Sequence, residues 1–466
     1  MKSATKIVNK SSFRDPAGCV FSQNDEIYRQ VNQVYKPHYD FLLQSGLYDA
    51  LVKRQLLVPH QEIELSEVDD LDVELTYKVF KPKKVPFISY PYEWCFSELK
   101  DAALTTLAIQ TLALEHGMVL KDASAFNIQF VDGKPILIDT LSFECYEEGE
   151  PWVAYRQFCQ HFLAPLALMS ALDPRLHSLS RNHIDGIPLD FACKLLPKLT
   201  LLRPDLALNL KHHSMAQKDE GTSAQPSVPK KISFSKASML GLVDSLERAV
   251  KSLKLSIKKT DWTNYYADNN YSEAAQSEKQ KIVSQCLEQI NPTILWDMGA
   301  NTGVFSRLAA AKGIYTVSMD YDHNCVEMNY LQNKERGEQK LLPLVVDLSQ
   351  PTPAIGWANE ERQRLDQRGR ADAVLALALI HHIAIANNVP LLKIASYFSQ
   401  LCNFLIIEFI TKDDSQVKRL LSSRKDIFTS YNIEGFEESF SQYFTIESRF
   451  PIADTARTVY LMKKKA

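Results

Sequence analysis

The spacing of polar and apolar residues changes along this 466-residue chain. In the second half, short apolar runs alternate with amphipathic stretches. "TILWDMG" (293–299) predicts a strand, "VFSRLAAAKG" (304–313) a helix closed by Gly313, and "IYTVSMD" (314–320) a second strand. A helical run near 323–335 leads to a third strand, "KLLPLVVD" (340–347), and then a fourth, "ADAVLALALI" (371–380). "VPLLKIASYFSQL" (389–401) reads as an amphipathic helix and "NFLIIEFI" (403–410) as strand five. These strands are apolar at nearly every position, as a parallel sheet covered on both faces requires. The alternation implies a doubly wound α/β fold. "FTIESRFPI" (444–452) and "RTVYLMKK" (457–464) add an antiparallel hairpin at the sheet edge, for seven strands. The stretch before that hairpin reads as a helical cap, with Asp413, Asp414, Arg419, Arg424 and Lys425 mostly on solvated faces.

The first half is less regular and reads as α+β. "SELKDAALTTLAIQTLALEHG" (97–117) predicts a long helix capped by Ser97, with Leu99, Ala103, Leu107 and Leu114 on one face and Gly117 as its stop. "LTYKVF" and "PFISYPYEW" read as extended before it. "IQFVDGKPILID" reads as two strands around an Asp132-Gly133 turn, and "WVAYRQFCQHFLAPLALMSAL" as helical. Between the halves, "KHHSMAQKDEGTSAQPSVPKK" (211–231) carries almost no large apolar side chain, the composition of a linker. The expected organisation is a domain at 1–210, a linker at 211–233 and a second domain at 234–466.

Composition narrows the function. The length exceeds what one core holds, which agrees with two domains. A net charge of −3 gives no bulk attraction to nucleic acid or anionic lipid, so neither is expected as a partner. The eight cysteines include no Cys-x-x-Cys pair, which argues against a zinc site or a disulfide framework, and no metal is expected. There is no apolar core of signal-peptide length at the start and no run of roughly 18 apolar residues. A cytoplasmic, soluble protein is therefore expected, with its oligomeric state open.

The candidate chemistry begins at "LWDMGANTGVFS". Asp297 ends the first strand of the second domain, and Gly299 and Gly303 flank the turn, where glycine allows close backbone approach. Asn301 sits between them and tolerates left-handed φ. Asp320 ends the next strand, about 20 residues on, where an acid can hold a ribose diol. Asp347 ends the third, within reach of an exocyclic amine. A dinucleotide-binding dehydrogenase would carry Gly-x-Gly-x-x-Gly. Here the middle glycine is missing, and Asp297 repels a pyrophosphate but suits an ammonium or sulfonium group.

Over about residues 260–466 the chain resembles the class I S-adenosylmethionine-dependent methyltransferases. The resemblance implies a Rossmann-like methyltransferase sheet and S-adenosyl-L-methionine as cofactor. It implies that Asp297, Gly299 and Gly303 cradle the cofactor's amino-acid part, that Asp320 holds the ribose and that Asp347 holds the adenine. "LIHHIA" places His381 and His382 past strand four, at the edge where ligands bind. Each has two readings: general base for the acceptor, or a residue that shapes the pocket. Glu408 either faces the same crevice or caps a loop. "DWTNYY" (261–266) either closes over the sulfonium by cation–π contact or packs.

The first half holds a second pattern, "KDASAFNIQFVDGKPILID". Asp122, Asn127 five residues on, and Asp139 after a hairpin match the spacing of a phosphotransferase's catalytic Asp, metal-binding Asn and metal-binding Asp. The pattern resembles the small-molecule branch of the kinases. It departs from them at Leu120 and Ser124, where His and Lys are usual, and in lacking a glycine-rich loop and an identifiable Val-Ala-Ile-Lys lysine. A kinase-like domain is expected, with Mg-ATP as a ligand only if that domain is active. A hydrogen-bond cluster without catalysis is the alternative. "SSFRDPAGCVF", "PYEWCFSELKDAAL", "GMVLKDASAFNIQF", "GKPILIDTLSFE" and "DSQVKRLLSSRKDIF" together resemble the bacterial nodulation-type methyltransferase group across most of the chain. That resemblance implies an enzyme that methylates an acceptor, expected to be a small molecule or saccharide modified at oxygen. The alternatives are a bifunctional phosphotransferase–methyltransferase and a kinase-like binding domain fused to the methyltransferase.

Overall fold

The computed structural model describes residues 6–211, 234–257, 272–422 and 424–465. The aromatic stretch 261–266 and nearly all of the expected linker lie outside the described residues. The chain divides into two compact units. The first is Met1–Ser256 with Ala354–Arg362, and the second is Ile257–Pro353 with Gln363–Ala466.

The first unit opens with five antiparallel strands: β1 (Ile7–Val8), β2 (Gly18–Gln23), β3 (Glu26–Asn32), β4 (His60–Ile63) and β5 (Thr76–Pro82), in the spatial order β1-β2-β3-β5-β4. Asn24 and Asp25 both take positive φ, the two-residue turn that matches strand twist between β2 and β3. Helices α1 (Lys36–Gln44) and α2 (Leu47–Lys53) join β3 to β4. Helix α3 (Phe96–Glu115) follows and is buried on more than one face, with Leu99, Ala103, Leu107 and Leu114 as expected but also Ile109 and Leu112. Ser97 is not its cap. Cys95 takes that position, because the Glu98 carboxylate accepts the Cys95 N–H at 2.8 Å. Two short antiparallel pairs come next: β6 (Met118–Leu120) pairs with β9 (Phe143–Cys145), and between them β7 (Ile128–Val131) forms a hairpin with β8 (Lys134–Leu137). The turn between β7 and β8 is Asp132-Gly133, both at positive φ. This five-stranded lobe, helix and hairpin loop make the unit kinase-like.

Two segments that the sequence assigned to the second domain lie in the first unit. Helix α4 (Lys236–Ser252) buries Met239, Val243, Leu246 and Val250 and packs along α3. The second compact unit therefore starts after Ser256 rather than at 234. The segment 354–362 is held by Glu361, whose buried carboxylate accepts from Arg14 at 2.7 Å, and by Arg362, whose guanidinium stands 4.1 Å over the Phe126 ring.

The second unit is a seven-stranded sheet. Its strands are β10 (Ile294–Met298), β11 (Tyr315–Asp320), β12 (Leu341–Val345), β13 (Ala371–Ala376), β14 (Cys402–Ile410), β15 (Phe444–Pro451) and β16 (Arg457–Lys464). The order is β12-β11-β10-β13-β14-β16-β15; β10 to β14 run parallel, and β16 lies antiparallel to both neighbours. This is the doubly wound, Rossmann-like methyltransferase sheet, with the terminal hairpin in place. Helices α5 (Glu273–Ile290), α6 (Val304–Ala310), α7 (His323–Arg336), α8 (Leu391–Leu401), α9 (Ser415–Ser422) and α10 (Ile433–Ser441) complete the unit. One core joins Val283 and Leu287 of α5, Phe305 and Ala309 of α6, Leu295 and Leu375 of the sheet, and Val459 and Leu461 of the hairpin. Strand order reverses beside β10, which opens a crevice at the strands' carboxyl ends. Strand β13 stops at Ala376, short of the expected 380. Ala378 turns to positive φ, and its N–H is taken by Glu408 at 2.7 Å instead of by a sheet neighbour. Among the described residues no helix is long and apolar enough to cross a membrane.

Candidate active site

The crevice of the second unit is a pocket built on the ends of four adjacent strands. Asp297 is the next-to-last residue of β10 and is 2% exposed. Its Oδ2 accepts from Ser306 Oγ at 2.5 Å, and Ser306 Oγ lies 2.9 Å from Ser318 Oγ. Burial first, and the neighbouring Asp320 carboxylate next, push the Asp297 carboxyl up to about 6, against the Ser306 hydrogen bond and Lys279. Gly299 and Gly303 take φ of +76° and +81°, and Asn301 between them takes 52°. At Gly303 a Cβ would meet the Asn329 side chain at 2.5 Å. Asn329 cannot yield easily, because Arg307 donates to its Oδ1 at 2.7 Å and its Nδ2 donates to Ser318 at 2.9 Å.

Asp320 closes β11. Its two oxygens accept the N–H groups of Asn301 (2.8 Å) and Asp322 (2.9 Å), while burial pushes its carboxyl up to about 6. Asp347 lies two residues past β12, exposed, with Oδ1 accepting the N–H and Oγ of Ser349 at 2.8 and 2.6 Å. Asp297, Gly299, Asn301, Asp320 and Asp347 all line the one pocket.

The histidines separate. His382 lines the pocket, whereas His381 is 2% exposed and does not. Their rings are 4.1 Å apart. Burial lowers His382 to about 4 and His381 well below its ordinary value, so both are neutral imidazoles at pH 7. Glu408 points into the protein. Fully buried, its Oε2 accepts from Lys279 Nζ at 2.7 Å and from the Ala378 N–H at 2.7 Å. Lys279 was not singled out in the sequence, where it is one of several charged residues along an amphipathic helix. In the structure it also lines the pocket.

In the first unit, Asp122, Asn127 and Asp139 come together. Asn127 Nδ2 donates to Ser142 Oγ at 3.3 Å, and Ser142 Oγ donates to Asp139 Oδ2 at 3.1 Å. Asp122 accepts the Ser124 N–H at 2.9 Å. Burial, with the Asp139 charge adding to it, raises the Asp122 carboxyl above its ordinary value. The cation that the sequence did not identify is Arg29 on β3, 3.1 Å from Asp139 Oδ1. A kinase carries its phosphate-binding lysine on the third strand. Here a guanidinium stands on a strand of that rank and pairs with the expected metal-binding acid.

The nodulation protein NoeA of Rhizobium meliloti (strain 1021) is 33% identical to this chain over 463 residues, 97% of this chain and 95% of NoeA. The chain belongs to the NoeA family. No family model matches it. Among solved structures, it is similar to the bifunctional kinase-methyltransferase WbdD, at 15% identity and a TM-score of 0.31 over 46% of this chain and 45% of WbdD. It is also similar to the magnesium protoporphyrin IX methyltransferase ChlM of Synechocystis PCC 6803, at 15% identity and a TM-score of 0.32 over 44% of this chain and 92% of ChlM. The NoeA-family chain carries the kinase-like fold in its first unit and the seven-stranded methyltransferase sheet in its second.

Proposed function

We propose that the second unit binds S-adenosyl-L-methionine and transfers its methyl group to an oxygen of a small-molecule or saccharide acceptor. One observation carries this reading: Asp297, Asp320 and Asp347 sit at the carboxyl ends of three adjacent parallel strands and line one pocket. A buried acid suits the cofactor's ammonium, a second suits the ribose diol, and an exposed third suits the adenine amine. When bound, the cofactor supplies an electrophilic methyl group on a sulfonium. Held by these acids, it would offer that methyl carbon to an acceptor oxygen and be left as S-adenosylhomocysteine. The acceptor's proton goes to His382, which is neutral at pH 7 and lines the pocket. Replacing His382 with Gln is expected to lower kcat about 100-fold and leave S-adenosylhomocysteine binding within threefold. A His381→Gln variant losing more activity than His382→Gln would reverse the assignment.

Thermal shift tests the cofactor. S-adenosylhomocysteine at about 100 times its Kd stabilises the folded state by ~2.7 kcal/mol. No shift at millimolar ligand would sink the proposal. The response also depends on pH. In the empty site Asp297 and Asp320 hold protons up to about pH 6, above their unfolded values. Their contribution to the empty protein's stability is therefore present at low pH and lost as pH rises through about 6. An ammonium ligand favours the ionised acids, so its affinity runs the other way. The Kd of S-adenosylhomocysteine is expected to be flat from about pH 7 to 8.5 and to rise as pH falls from about 6.5 to 5. Calorimetric titration showing a pH-independent Kd over that range would count against Asp297 as the ammonium's partner.

A second reading, phosphotransfer by the first unit, is favoured by the hydrogen-bonded chain from Asn127 through Ser142 to Asp139. Mg-ATP is a ligand only under this reading. A thermal shift with ATP and magnesium that an Asp139→Asn variant lacks would support it. No shift would leave the first unit as a binding domain that helps recruit the acceptor.

A further inference from the structure

The amino-acid end of S-adenosylmethionine carries a carboxylate as well as an ammonium, and the pocket wall that suits the ammonium repels the carboxylate. Asp297, Asp320 and Asp347 are all acids, so the carboxylate needs its own donor. The backbone of the glycine turn does not provide one. The Gly299 and Ala300 N–H groups both go to the Met319 carbonyl, at 2.9 and 3.0 Å. Asn301 N–H goes to Asp320, Thr302 N–H to the Asn301 side chain at 2.7 Å, and Gly303 N–H to the Ala300 carbonyl at 2.9 Å. Past the end of β13, the Ala378 N–H is taken by Glu408.

Among the described residues that line the pocket, Lys279 is the only lysine or arginine. It sits on α5 one turn after Gln276, which lines the same pocket. Its ammonium is 2.7 Å from Glu408 Oε2 and 5.1 Å from the centre of the Phe305 ring, itself a pocket residue. Glu408 fixes the lysine's position at the pocket wall. An ammonium presents three N–H donors, enough to serve Glu408 and a ligand carboxylate together.

We infer that Lys279 is the anchor for the carboxylate of the cofactor's amino-acid end. The inference rests on the cofactor reading proposed above and adds a specificity to it. The pocket then recognises a zwitterion: acids take the ammonium, and Lys279 takes the carboxylate. Adenosine ligands without the carboxylate lose the Lys279 contribution.

Two ligands separate this role from a structural one. S-adenosylhomocysteine has both charged groups. Its decarboxylated analogue keeps the ammonium and lacks the carboxylate. Calorimetric titration of the full chain is expected to show that Lys279→Met weakens S-adenosylhomocysteine about 30-fold and the analogue less than threefold, a charge-assisted contact's worth. Lys279→Met takes the ammonium away from the buried Glu408 carboxylate, so Lys279→Met/Glu408→Gln serves as the second variant. It carries no charged carboxylate at that position and is expected to show the same selective loss. Lys279→Arg is expected to keep most of the selectivity. Equal weakening of both ligands, or of neither, would overturn the anchor. If the unaltered protein binds neither ligand, the cofactor reading itself falls.

Discussion

Replacing Asp297 with asparagine is expected to remove the response to S-adenosylhomocysteine while leaving the empty protein as stable as before, or more stable. The two effects share one cause. The Asp297 carboxyl is buried, and its rise from the ordinary carboxylate value to about 6 corresponds to ~3 kcal/mol opposing the charged form. An empty site above pH 6 bears that cost. Asparagine keeps the volume, and its Oδ1 still accepts from Ser306, but it carries no charge. In the bound state the missing charge is the ammonium's partner. Loss of one side of a buried charged contact costs about 2–5 kcal/mol, so affinity is expected to fall at least about 30-fold. Melting curves at pH 8 with and without ligand measure both quantities. An Asp297→Asn protein that binds within threefold of the original, or that melts far below it without ligand, would contradict this account of the site.

The parts of this site that could be read from sequence are local. Asp297, Asp320 and Asp347 each follow an apolar run that a parallel sheet accounts for, and the glycine turn marks where the backbone reverses. The Asp132-Gly133 turn is equally local, since two residues specify its positive φ. What escaped the sequence depends on partners far along the chain. Lys279 is buried only because α5 packs beside β14, whose Glu408 is 129 residues away. Arg29 reads as an ordinary strand residue until the fold brings it to Asp139. Helix α4 has a clear apolar stripe, but a stripe does not name the surface that covers it, and here that surface is α3. The early end of β13 has the same origin: Glu408 captures the Ala378 N–H, and no local pattern announces it.

Truncating Glu408 to alanine is expected to be the most damaging single change in the second unit. Its carboxylate is fully buried, accepts from the Lys279 ammonium and the Ala378 N–H, and lies 3.9 Å from the Arg457 guanidinium. Arg457 retains Asp414, at 2.9 Å, but Lys279 is left as a buried cation. Breaking a buried pair in this way costs about 3–5 kcal/mol, which lowers Tm by on the order of 10 °C for a unit of this size. Replacing the pair with apolar residues, Glu408→Leu with Lys279→Met, removes both charges together and is expected to recover more than half of that loss. Scanning calorimetry of the two variants checks the sum. A Glu408→Ala protein melting within 2 °C of the original would mean that the pair is not dry. If the double variant recovers stability yet fails to bind S-adenosylhomocysteine, an apolar pair fills the core and cannot do what the charged pair does. The salt bridge is then retained for the ligand it faces, at a position where stability alone would favour leucine and methionine.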